Sequence, residues 1–103
     1  KLWRAFIPYS HYDGVNERWG YPGADRRLAL ARLRRLGKRP QFICHEVATG
    51  KLNLTATRDY LKTADAKGNF TFRETGFRNH NDAWLLQPSP ARRALRQWLD
   101  GVL

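Results

Sequence analysis

The 103-residue chain has no methionine, one cysteine, three histidines and only nine acidic residues. Each scarcity excludes something. With Cys44 as the sole thiol no intramolecular disulfide can form, so this is not a disulfide-stapled secreted mini-domain. A reducing compartment, cytoplasm or organelle matrix, is the expected setting. His11, His45 and His80 show no metal-ligand spacing with one another. Cys44 and His45, adjacent on a strand, would point to opposite faces. No metal site and no cofactor are therefore expected. Glycine-rich phosphate loops, nucleophile elbows and zinc-protease helix patterns are missing too. No apolar run approaches the roughly 20 residues of a membrane helix, and no charged start followed by an apolar stretch marks a signal peptide. A chain that starts at Lys1 and lacks methionine is expected to be a processed form or an excised piece of something longer.

What the chain does have is positive charge: 19 Lys and Arg give a formal net charge of +10. Such an excess points to a polyanionic partner. Basic residues outnumber acidic ones ten to three over positions 1–40, six to five over 41–87 and three to one over 88–103. The charge thus concentrates at the two ends and leaves a nearly neutral middle. Fourteen of the cations are arginines, whose planar fork grips phosphate bidentately and stacks on bases. Genome composition can also raise the arginine content.

Hydrophobic residues make up 42% of the chain, and a domain of this size can bury roughly 65% of its unfolded surface without staples. One domain over 1–103 is expected, with an arm and loop over 1–23, an α+β core over 24–87 and a terminal helix over 88–103. Positions 2–8 read as a short strand or extended arm. The loop that follows carries Tyr9, His11, Tyr12, Trp19 and Tyr21, placed either to stack on bases or to pin the loop to the core. A helix should begin near Asp25 and stop at Gly37. Its wheel gathers Ala29, Leu30, Leu33 and Leu36 on one side and Arg27, Ala31, Arg34 and Lys38 on the other. A small residue flanked by long cations lets a phosphate backbone approach closely.

Alternation over 41–47 predicts a strand, and Thr49 with Gly50 predicts a hairpin turn into a second strand over 51–55. A short helix over 57–64, a strand over 69–75 and an ambiguous apolar run over 83–87, read as a last strand, follow. Ser89 and Pro90 then start a terminal helix with Ala91, Ala94, Leu95, Trp98 and Leu99 on one face and Arg92, Arg93 and Arg96 on the other. The expected architecture is α+β, a small antiparallel sheet flanked by two basic amphipathic helices.

Three functions fit this pattern. The first is nucleic-acid binding, with RNA favoured over DNA, as an accessory or structural subunit of a ribonucleoprotein assembly. Its phosphate contacts would come from Arg27, Arg34, Lys38, Arg39, Arg92, Arg93 and Arg96. The second is a metal-independent endoribonuclease, a chemistry that needs only an acid, a base and cations. His80 or His45 with Glu46 or Glu74, supported by Arg73 and Arg78, are its candidates. Ribonuclease toxins share this kind of architecture, and an acidic protein inhibitor would then be a partner. The third is a basic accessory subunit of a large organelle or membrane complex, docked on other subunits or on acidic headgroups.

Overall fold

The computed structural model describes residues 3–9, 12–46, 53–64, 67–78 and 82–103. Helix α1 spans Arg26–Leu36, strand β1 Pro40–His45, helix α2 Leu54–Thr63, strand β2 Asn69–Glu74, the single turn α3 Ala83–Leu86, and helix α4 Pro90–Val102. Two short 3₁₀ turns, Glu17–Trp19 and Pro22–Ala24, precede α1. The class is α+β, and no helix among the described residues is long and apolar enough to cross a membrane.

The sheet is parallel, which overturns the expected antiparallel arrangement. β1 and β2 run side by side in register from Pro40 opposite Asn69 to His45 opposite Glu74. A parallel pair requires a long crossover, and α2 occupies that crossover. The predicted second hairpin strand fails for a local reason. Asn53 accepts a hydrogen bond from the Ala56 amide at 3.0 Å, capping a helix whose buried residues Leu54, Thr57, Tyr60 and Leu61 recur at helical spacing. Alternation over 51–55 was too short to separate from that period. The turn residues Thr49 and Gly50 lie outside the described residues. The segment read as a last strand is α3, whose Trp84 is buried.

The arm pairs with the other edge of β1. Phe6 donates to Pro40 O and accepts from the Phe42 amide, both at 3.0 Å, and the Cys44 amide donates to Pro8 O at 3.1 Å. These parallel bridges make β1 a central strand, and every residue from Gln41 to Glu46 is buried. Its alternation divides the core. Ile43 packs with Tyr12, Leu33, Leu54, Tyr60 and Leu61 under α1 and α2. Phe42 and Cys44 pack with Trp84, Ala91 and Leu95 under α3 and α4. Strand alternation therefore sets α1 and α2 on one face and α4 on the other.

Both long flanking helices match their wheels. Ala29 and Leu33 of α1 and Ala91 and Leu95 of α4 are buried. Asp25 accepts from the Leu28 amide at 2.8 Å. Ser89 accepts from the Arg92 amide at 3.0 Å while its hydroxyl donates to Trp84 O at 2.6 Å, joining α3 to α4. Gly14 lets the aromatic loop approach α1 and α2: at φ 89°, a Cβ there would stand 2.6 Å from the Tyr60 hydroxyl and 2.9 Å from Ala29.

Asn53→Ala removes the α2 cap and is expected to lower stability by about 1 kcal/mol in urea unfolding. A hairpin strand at this position would lose nothing, so an unchanged midpoint would contradict the capping role.

Candidate nucleic-acid interface

The arginines of α1 and its flanks divide by the side on which they leave the helix. Arg26 donates through Nε to Gly14 O at 3.0 Å and lies 3.8 Å from Glu17. Arg32 donates to Gly23 O at 2.6 Å and to Asp13 at 3.2 Å, tying the aromatic loop to the helix. Arg39 folds back on the carbonyl end of α1, donating to Arg35 O at 2.7 Å and Leu36 O at 3.1 Å. That position also suits a cation at the negative pole of a helix. Arg39, expected among the phosphate contacts, thus serves as a helix cap.

Arg27, Arg34 and Lys38 are exposed and form no hydrogen bond or ion pair among the described residues, with exposed Ala31 between them. The acids that might have neutralised them are engaged elsewhere. Asp13 holds Arg32 and the Tyr21 hydroxyl, Glu17 faces Arg26 and accepts its amide, Asp25 caps α1, and Glu46 is buried. The outer stripe of α1 is consequently an unscreened row of cations around a small side chain.

On α4, Arg93 and Arg96 are exposed and line a cleft of about 510 Å³ with Gln97 and Asp100. Arg92 is half-buried and donates to Leu86 O at 3.2 Å. The two basic stripes belong to helices on opposite faces of β1, so they do not form one surface. Helical wheels cannot reveal that separation, because they carry no information about which sheet face a helix covers.

The candidates for cleavage chemistry fall in a different setting. His45 is 1% exposed; its Nδ1 lies 2.9 Å from Glu46 O and 3.6 Å from the Glu46 carboxylate. The His45 Nε2 is buried with no hydrogen-bond partner among the described residues. Glu46 is buried beside Tyr9, whose phenol donates to its carboxylate. Burial first, then the charge of Glu46, pushes the Tyr9 phenol up to about 12. Glu74 pairs in register with His45 at the carboxyl end of the sheet. Arg73 and Arg78 are exposed, and His80 lies outside the described residues. The structure therefore gathers the buried His45 and Glu46 with the half-buried Tyr9 into a polar cluster whose acid–base pair a phosphodiester cannot reach as it stands. Tyr9 was not readable as part of it, because the arm reaches Cys44 only through long-range pairing.

Among the described residues no group of three or more His, Cys, Asp or Glu side chains converges to hold a metal ion. No protein-family model, curated protein or solved structure matches the chain.

The Tyr9 and Cys44 side of the sheet sets an alkaline limit. Burial pushes the Cys44 thiol from an ordinary 9.0 up to about 11, alongside the raised Tyr9 phenol. The folded chain keeps protons that the unfolded chain releases, so this stability is complete below pH 9 and declines as pH rises through 11 to 12. Urea midpoints should fall over that window, less steeply in Cys44→Ala. Equal slopes in the two proteins would show that the thiol does not contribute.

Proposed function

We propose that the chain is a nucleic-acid-binding module, with RNA as its favoured ligand, that grips phosphates through the outward face of α1. One observation carries this reading: Arg27, Arg34 and Lys38 stand exposed without internal partners among the described residues, while Arg26, Arg32 and Arg39 around them are all engaged with the protein's own acceptors. Guanidinium groups that cap carbonyls hold the helix in place, and the remaining cations are available to an external anion. Ala31 leaves room between them for a backbone to approach.

Cleavage has less support. An acid–base pair for RNA must reach the 2′-hydroxyl and the phosphate, and the described pair of His45 and Glu46 is buried with its side chains turned toward each other and Tyr9. The proposed role is binding, as an accessory piece of an assembly.

Binding of a labelled structured RNA, followed over a salt series in EDTA, tests this directly. Arg27→Glu with Arg34→Glu should weaken binding and flatten the dependence of log affinity on log salt by about one for each phosphate no longer held. Arg93→Glu with Arg96→Glu, on the opposite face, should change the slope less for a short RNA. An unchanged slope in the folded α1 variant would remove that helix as the contact surface. RNA shortened in the same samples would replace binding by cleavage.

A further inference from the structure

Two clefts, of about 680 and 330 Å³, lie along the side of α1 that faces α2. Leu30 and Ala64 line both, so the two clefts are neighbours and together form a grooved surface beside the two helices. α1 is 11 residues long, and a helix of that length sets a groove of roughly 16 Å. The larger cleft is lined mainly by apolar surface, including Val15, Leu30, Ala56 and Ala64, and the smaller adds Leu33 and Phe70 beside the buried polar Gln41.

The rim has a different character. Arg18, Arg34 and Lys67 are exposed along it and form no ion pair among the described residues. Asn16, Asp59 and Thr63 supply neutral and acidic hydrogen-bonding groups at the larger cleft. Arg26, which also lines that cleft, stacks over the Tyr60 ring with its guanidinium carbon 5.6 Å from the centroid. Arg34 belongs to both the outward stripe of α1 and this rim, which makes the two surfaces continuous.

We infer that this groove takes the bases of single-stranded RNA while the cations of α1 and the rim hold its phosphates; the inference rests on the nucleic-acid reading above. Charge decides against an uncharged apolar occupant, since three unpaired cations stand against one acid on the rim among the described residues. The apolar floor decides against a duplex, which hides its base faces and offers chiefly phosphates and 2′-hydroxyls. Unpaired bases present flat faces to fill such a floor, and their edges carry donors and acceptors for Asn16, Asp59 and Thr63. Arg18 and Lys67 are the residues this site adds to those foreseen from the sequence. Neither lies on a periodic helix face, so no pattern marks them.

The test compares three probes by fluorescence anisotropy on the intact chain: an oligouridylate of about ten nucleotides, an abasic ribose-phosphate strand of the same length, and an RNA duplex. Oligouridylate should bind about tenfold or more tightly than the abasic strand, the difference that stacked bases bring. Ala64→Trp, at the residue that lines both clefts, should erase that preference and leave binding of the abasic strand unchanged. Thr63→Trp, at an exposed rim position, provides the same test if the first variant does not fold. Equal binding of oligouridylate and abasic strand by the unmodified protein, or tightest binding of the duplex, would overturn the groove and leave the phosphate-binding reading standing. A persistent preference in a folded groove-filling variant would also overturn it. No binding of any probe would overturn both.

Discussion

Burial of β1 on both faces and along both edges is the constraint on which the other elements depend. Phe6, Pro8 and β2 satisfy its backbone groups from either side, so the strand has no open edge. Ile43 then faces α1 and α2, and Phe42 with Cys44 faces α3 and α4. In a strand closed in this way, a buried polar group without a partner is costly. Gln41, a buried amide within it, accepts a hydrogen bond from the Tyr12 hydroxyl. The fully buried Phe42 and Ile43 are the apolar centres of the two clusters that draw the helices onto the sheet. Parallel pairing at both edges also explains the chain order, since each parallel step needs a crossover and α1 and α2 supply the two.

The same packing sorts the charge. Arginines that leave α1 near the aromatic loop meet Gly14, Gly23, Asp13 and Glu17 and become structural ties. Arg27 and Arg34, which leave from its outer side, meet nothing within the described residues. A net charge of +10 is therefore not spread evenly; folding concentrates the uncompensated part on particular helix faces. Surface ion pairs contribute little to stability, so Arg32 matters less for its energy than for holding the loop against α1. An exposed cation row without acids between its members is a costly arrangement for self-repulsion and a favourable one for a polyanion.

Burial likewise separates polar groups that perform chemistry from those that complete a fold. His45 and Glu46 are adjacent in the chain and carry the residue types that RNA cleavage uses. Tyr9 and the sheet enclose them, however, and the raised phenol of Tyr9 keeps a neutral donor on the carboxylate. A polar cluster enclosed in this manner rigidifies the carboxyl end of the sheet. Arg27 and Arg34 stand exposed without internal partners among the described residues on α1, and Arg34 also lines a cleft on the side of that helix that faces α2.

Local signals were legible wherever a physical effect acts over a few residues. The Asp25 and Ser89 caps, the stop at Gly37, the buried stripes of α1 and α4 and the outward position of Arg27 and Arg34 all follow from helix geometry and short-range hydrogen bonding. Strand direction was not legible, because pairing joins residues far apart in the chain. The alternation over 52–55, which runs into the first turn of α2, matches a strand and a capped helix equally well until Leu61 reaches the core. Arg39 looked like another free cation, and only its return to the α1 carbonyls made it a cap. The opposite placement of the basic helices, the enclosure of His45 and the groove containing Arg18 and Lys67 depend on which face of β1 each helix covers. Periodicity tells a helix which side to bury; long-range packing supplies the surface it is buried against.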